Sequence, residues 1–260
     1  MSADSRPRVL AVTNQKGGVG KTTTTINLGA ALAAQGQKVV LIDIDPQGNA
    51  STGLGIDRED RQPSTYDVLA EGELVQNALK ETSQPGLTIV PATQDLSAID
   101  MTLAAERDRL TRLRNSLVKA ELDADIVLID CPPSLNILTL NALVAADGVL
   151  VPLQCEFFAL EGISQLLSTV SDIRKSVNTK LITQGIVLTM YDQRNNLTGD
   201  VEADVRQTLG DLVFKTVIPR NVRLSEAPSF GLPVQLYDPR SSGSLAYAAL
   251  SKELTNRIAT

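Results

Sequence analysis

The chain of 260 residues contains no histidine. That removes the commonest general base near neutral pH and the commonest transition-metal ligand. Any catalysis must therefore rest on carboxylates, lysines, backbone amides and a hard metal ion. Tryptophan is also absent and aromatic residues make up only 3%, too few for a base-stacking platform that holds single strands. The two cysteines, Cys131 and Cys155, each close an apolar run, where a reduced thiol packs as a small apolar group. Both are expected to be structural. No apolar run approaches a membrane span, and the opening "MSADSRPR" lacks the apolar stretch of a leader. A cytosolic protein is expected.

With 43% apolar and 21% charged residues, the chain can bury one large core, and a single domain over 1–260 is expected. Its net charge of -6 excludes a surface that is basic all over, so any DNA contact has to come from a local patch. Seven short apolar runs stand between helical stretches: "RVLAVTN" (8–14), "KVVLIDID" (38–45), "LTIVPA" (87–92), "DIVLIDCP" (125–132), "DGVLVPL" (147–153), "QGIVLTM" (184–190) and "FKTVIP" (214–219). Runs of this kind suit buried, mostly parallel strands. Helices are predicted over 22–36, ending at Gly36, over 103–122 with an amphipathic pattern, and over 160–177. Segment 53–86 is richer in polar and turn residues and is predicted to form short helices outside the sheet. Alternating strand and helix give a doubly wound α/β fold with a mostly parallel central sheet, whose ligand site lies at the carboxyl ends of the strands.

The stretch "NQKGGVGKTTT" (14–24) lies between the first run and the first helix. It departs from the usual phosphate loop G-x-x-x-x-G-K-[ST], which requires glycine where Gln15 stands, and it carries an additional lysine, Lys16. Backbone N–H groups of Gly17, Gly18, Val19 and Gly20, together with a helix N-terminus at Lys21, Thr22 and Thr23, can surround a polyphosphate. Lys21 is expected to reach the terminal phosphates and the Thr22 hydroxyl to ligate Mg²⁺. In "LIDIDPQGN", Asp43 and Asp45 are two apart, which in extended chain points both carboxylates the same way. Such a pair can divide metal binding from water activation without any histidine. "DIVLIDCPPS" ends an apolar strand in Asp130, the position from which a carboxylate holds a Mg²⁺ shell.

These stretches, with "LIDCPPSL", "ALEGISQL", "TMYDQRNNL" and "IPRNVRLSEAPSFGLPVQLYDPRSSGS", make the chain resemble, nearly end to end, the ParA/Soj family of chromosome-partitioning ATPases, within the MinD-like deviant Walker group of P-loop proteins. The resemblance implies a slow, Mg²⁺-dependent ATPase that closes into a homodimer around two ATP molecules. It further implies that Lys16 crosses the dimer interface to the partner's phosphates, that Asp45 positions the attacking water, that Asp43 supports the Mg²⁺ shell, and that Pro219 and Asn221 border the adenine. Partners implied are double-stranded DNA, bound without sequence preference, and a ParB-type centromere-binding protein that stimulates hydrolysis; the location implied is the nucleoid. Arg194 and Arg223 fall where the family has its DNA-contacting arginines, with Arg220 and Arg240 nearby.

Three other readings are weighed against this one. A membrane-positioning ATPase of the MinD type needs a basic amphipathic C-terminal helix, and "LSKELTNRIAT" carries one lysine, one arginine and no bulky aromatic face. A metabolic member of the superfamily such as the nitrogenase iron protein needs cysteine ligands in glycine-flanked loops, which Cys131 and Cys155 lack. A scaffold that binds nucleotide without hydrolysing it has no use for Asp45.

Overall fold

The computed structural model describes residues 6–156 and 159–259; the first five residues, scanned above for a leader, lie outside them. Eight strands build one sheet: β1 (Arg8–Val12), β2 (Val39–Asp43), β3 (Lys80–Glu81), β4 (Leu87–Val90), β5 (Ile126–Asp130), β6 (Gly148–Gln154), β7 (Ile182–Tyr191) and β8 (Val213–Pro219). Their order is β3-β4-β2-β5-β1-β6-β7-β8, and every pairing is parallel except β3 with β4. All seven predicted runs are strands of this sheet.

A parallel sheet needs both faces covered, and the central strands β1, β2 and β5 are apolar at nearly every step for that reason. Along β1, Val9 and Ala11 enter the core on one face while Leu10 and Val12 enter the core on the other. β2 divides Val40 and Ile42 from Val39 and Leu41, and β5 divides Val127 and Ile129 from Ile126 and Leu128. The helices are α1 (Lys21–Ala33), α2 (Asn49–Gly53), α3 (Ile99–Thr102), α4 (Arg112–Lys119), α5 (Ile137–Ala145), α6 (Ala159–Ser176), α7 (Asn196–Leu209), α8 (Val222–Glu226), α9 (Val234–Tyr237) and α10 (Ser242–Ala259). α1 and α10 pack on one face through Leu28, Leu32, Tyr247, Leu250 and Leu254, while α5, α6 and α7 cover the other. α1 is apolar nearly all round because it lies between the sheet and α10. Burial of a leucine such as Leu28 or Leu32 contributes about 1.5–3 kcal/mol.

Two expectations change. The helix predicted over 103–122 is helical only over Arg112–Lys119, after turns. Asn141 of α5 explains the break: its Nδ2 donates to the Arg109 carbonyl at 2.8 Å, and its Oδ1 accepts from Leu113 N at 3.3 Å. A tertiary clamp thus replaces intrahelical bonds at that point. Segment 53–86 forms short 3-10 and π-type turns, as its composition suggests, but its end adds β3 to the sheet edge. That strand is two charged residues long, an edge that resists pairing with other chains.

Candidate nucleotide site

The loop from Thr13 to Gly20 joins the carboxyl end of β1 to α1. Gly18 and Gly20 adopt φ of 75° and 85°, the left-handed region that side chains bearing a Cβ enter at a cost of about 1–2 kcal/mol. A Cβ on Gly17 or Gly18 would meet no heavy atom within 4 Å, so this part of the loop faces open space. Three anchors hold the remainder. Asn14 Nδ2 donates to the Pro152 carbonyl at 2.8 Å while its Oδ1 accepts from Lys16 N at 3.0 Å. Thr189 Oγ1 on β7 donates to the Val19 carbonyl at 2.9 Å. Lys21 Nζ donates to the Lys16 carbonyl at 2.9 Å. No side chain caps the N-terminus of α1 and no acid lies in its first turn, so its amides and positive dipole end are left for an anion.

Beneath the loop lies buried charge. Lys21 is 7% exposed; burial lowers its pKa, while Asp130 and then Asp45 pull it back up. Asp43 is the last residue of β2 and lies beside Asp130 in the register of β2 with β5. Its Oδ2 accepts from Ser51 N at 2.8 Å and Ser51 Oγ at 2.7 Å, and its Oδ1 accepts from Asp45 N at 3.2 Å. Burial raises its pKa to about 6 against those hydrogen bonds. Asp130 has fewer partners: Oδ1 accepts from Thr25 Oγ1 at 2.9 Å, the Thr22 hydroxyl is close enough to hold its pKa down somewhat, and Oδ2 is buried with no hydrogen-bond partner among the described residues. Burial, then the Asp43 charge, pushes its pKa up to about 8.

Asp43 and Asp45 are not two same-face strand positions, because β2 ends at Asp43. Asp45 lies on the turn beyond it, 7% exposed, with Oδ1 accepting from Gln47 N at 3.0 Å. The two carboxylates are therefore held by different partners: Asp43 is locked by Ser51, while Asp45 is at the loop mouth. Among the described residues no group of three or more Cys, Asp or Glu side chains is placed to hold a metal ion. This suits Mg²⁺ in a phosphate site, where one or two carboxylates act together with hydroxyl, water and the substrate's own oxygens. The orphaned Asp130 Oδ2 next to Thr22 fits that donor set.

A cavity of about 320 Å³ opens beside the loop, lined among others by Gly20, Thr23, Thr189, Pro219, Asn221 and Tyr247. It brings Pro219 and Asn221 next to the loop. Asn221 Oδ1 accepts from Arg223 N at 2.8 Å to start α8, and its Nδ2 donates to Ser242 Oγ at 2.6 Å. A larger cleft of about 770 Å³, bordered by Arg6, Asp147 and Asn178, lies by the chain entering β1 and β6, at the other end of the strands from Lys21, Asp43 and Asp130.

Lys16 is exposed, and its ammonium pairs with Glu156 just past β6 in the same chain. The arginines lie along the same carboxyl edge. Arg194 makes two bonds of 2.9 Å to Asp192, which holds the Asp192 carboxyl down at about 2. Arg223 pairs with Glu226 at 2.7 Å and with Asp238 at 3.3 Å. Arg220 and Arg240 are exposed; Arg220 N donates to the Tyr191 carbonyl at 3.0 Å, joining the ends of β7 and β8. Both cysteines are free and buried, with thiols pushed up by desolvation, Cys155 to about 11.

Four residues of this constellation, Thr25, Ser51, Glu156 and Thr189, are not among those singled out from the sequence. Thr25 lies one helical turn past Lys21, and that spacing to a known loop lysine was the one available hint. Ser51, Glu156 and Thr189 reach the loop or its acids only through tertiary proximity.

The chain matches the family described as AAA domain over residues 7–183. It is 57% identical over 252 residues to chromosome partitioning protein ParA of Caulobacter vibrioides, covering 96% of this chain and 94% of that one. Over 247 residues it is 51% identical to sporulation initiation inhibitor protein Soj of Bacillus subtilis, covering 95% and 98%. Among solved structures, cobyrinic acid a,c-diamide synthase from Mycobacterium smegmatis with bound ADP and magnesium superposes with a TM-score of 0.85 at 39% identity, covering 98% of this chain and 96% of that one.

Proposed function

The chain belongs to the ParA/Soj family of chromosome-partitioning ATPases, and on that premise we propose that it is an ATP-gated DNA-segregation switch. As a single domain over 1–260 it binds ATP, closes into a homodimer, holds double-stranded DNA without sequence preference at the nucleoid, and returns to monomer when a ParB-type partner accelerates hydrolysis. The observation that carries this reading is the incomplete charge balance under the loop: a buried lysine, Lys21, beside a buried carboxylate oxygen, Asp130 Oδ2, that has no hydrogen-bond partner among the described residues. A buried unpaired polar group costs about 1–3 kcal/mol, and a triphosphate with its cation would complete the set.

In this reading the amides of Gly17 to Lys21 and the Lys21 ammonium bind the phosphates, with Thr23, Pro219 and Asn221 along the nucleoside. Thr22 and Asp130 would hold Mg²⁺, with Asp43 behind them keeping the 43–51 turn in place through Ser51. When bound, that ion supplies neutralisation of the charge that develops on the β- and γ-phosphate oxygens. Asp45 orients the attacking water and takes its proton, which a carboxylate can do in a chain without histidine. Lys16 leaves Glu156 to meet the partner's triphosphate, so its charge reaches the reacting phosphates only in the dimer.

Arg194, Arg220 and Arg223 line one edge, where phosphate contacts position DNA without reading bases. Dimerisation doubles a patch too weak to act alone. Membrane positioning is disfavoured by α10, whose Tyr247, Leu250 and Leu254 are committed to the core, and no helix among the described residues is long and apolar enough to cross a membrane.

The test is retention on random-sequence duplex DNA with ATP, with ADP and without nucleotide, over a series of salt concentrations. Retention confined to ATP, falling linearly with the logarithm of salt, supports the reading. Equal retention in all three states, or none in any, removes the DNA role.

A further inference from the structure

Thr189 is 2% exposed, and its hydroxyl is spent on the Val19 carbonyl. None of the roles assigned above uses it. A planar trans peptide points its C=O and N–H in opposite directions, so a Val19 carbonyl held toward β7 turns the Gly20 N–H away from β7. The hydroxyl thereby fixes which way one amide of the phosphate cradle faces. The next residue, Met190, has φ of 50°, and among the described residues it is the one non-glycine residue at positive φ. The β7–β8 register slips at the same place: Leu188 is opposite Val217 and Tyr191 opposite Pro219, three steps against two. One extra residue on β7 makes this a bulge, and a strained bulge at the edge of a site is a place where two arrangements can be close in energy. Directly beyond it, the Tyr191 carbonyl accepts from Arg220 N, and Asp192 holds Arg194.

We infer that Thr189 is a positioning residue of the phosphate loop and that the Thr189–Met190 bulge carries the nucleotide state of that loop to the 191–197 segment bearing Arg194. This rests on the nucleotide reading of the loop but not on the DNA reading, and its test uses no DNA. Coupling through such a path requires an element that both ends bias, and the bulge is bonded to Val19 on one side and continuous with Asp192 on the other.

The full chain is titrated with ATPγS and Mg²⁺, and amide hydrogen exchange is followed over 190–197 at saturation, for wild type, Thr189→Val, Thr189→Ser and Met190→Gly. Thr189→Val keeps the size and loses the hydroxyl; its affinity should fall about 10-fold, the loss of one buried hydrogen bond. Thr189→Ser should restore it to near wild type. Wild type and Thr189→Ser should gain exchange protection over 190–197 when saturated, and Thr189→Val should not gain it even when saturated. Met190→Gly, which removes the strain, should gain less protection than wild type when saturated. A merely structural Thr189 would lower affinity in the valine variant but leave the protection gain intact at saturation, and that result overturns the coupling. Wild-type affinity in Thr189→Val overturns the positioning role. Nucleotide binding by wild type with no protection gain defeats this inference alone, whereas no nucleotide binding at all defeats the function proposed above.

Discussion

The cradle under the phosphate loop and the arginine rim along the same sheet edge use charge in opposite ways. In the cradle, Lys21, Asp43, Asp45 and Asp130 are all less than a tenth exposed, and one oxygen of Asp130 has no hydrogen-bond partner among the described residues. On the rim, Arg194 is 87% exposed and Arg223 50%, yet both are paired with carboxylates of their own chain, Asp192 for the first and Glu226 and Asp238 for the second. The cradle is costly as it stands and is completed by a ligand. The rim is satisfied as it stands and yields only to a competitor, because exposed ion pairs are worth about 0–1 kcal/mol and a phosphate backbone can exchange with a carboxylate at little cost. A switch needs both kinds of site: one whose occupancy is strongly driven, and one whose occupancy is weak enough to be reset.

The largest effect on nucleotide binding is expected from emptying the cradle of its cation. Lys21→Ala leaves the triphosphate without its principal intramolecular counter-charge, and ATP affinity should fall roughly 100-fold, the scale of a charge-assisted bond, with nucleotide-dependent assembly lost. A calorimetric titration that returns wild-type affinity would take Lys21 out of the phosphate site. Next comes Asp45→Ala, which spares the loop and removes the water's acceptor: turnover should drop by ~10²–10⁴ while ATP binding and dimer formation persist as a trapped state. Wild-type turnover would move the base elsewhere.

On the rim, Arg194→Glu or Arg223→Glu should abolish retention on DNA of any sequence and leave ATP affinity unchanged. With a milder change to glutamine, the slope of log affinity against log salt should shrink by roughly 2, one phosphate from each protomer. Unaltered slopes would place the DNA surface elsewhere.

The smallest effect concerns pH. Burial holds the carboxyls of Asp130 and Asp43 up, to about 8 and about 6, above the usual carboxylate range in the folded chain. The folded state then binds protons more tightly than the unfolded state between these limits, so the stabilisation is present at low pH and is lost as pH rises through the folded values. Melting of the chain in chelator should move down by several degrees from pH 6 to pH 8.5, and Asp130→Asn should flatten that slope. A melting temperature that climbs over this interval would contradict the account of the buried acids.

Much of the cradle was legible in the sequence because its parts are consecutive: a β-branched run, glycines, a lysine and threonines in one stretch, and aspartates at two strand ends. The architecture was legible for a related reason, since strands buried on both faces leave unbroken apolar runs. What stayed hidden depends on contacts between distant segments. Ser51 locks Asp43, Thr189 holds Val19, and Asn141 breaks the helix predicted through 103–122, and no local pattern shows any of these contacts. The two-residue strand Lys80–Glu81 is too short and too charged to show a period. Nor could the sequence show that Lys16, Arg194 and Arg223 each find a carboxylate within their own chain.

The central claim is that ATP completes the cradle and thereby makes a dimer in which Lys16 exchanges Glu156 for the partner's triphosphate. Light scattering of the protein with ATP, with ADP and without nucleotide tests it most directly, with Lys16→Ala alongside. The account predicts a dimer with ATP alone, and a Lys16→Ala chain that binds ATP but stays monomeric. A monomer in all three states, or a dimer that forms equally well with ADP or without Lys16, would contradict it.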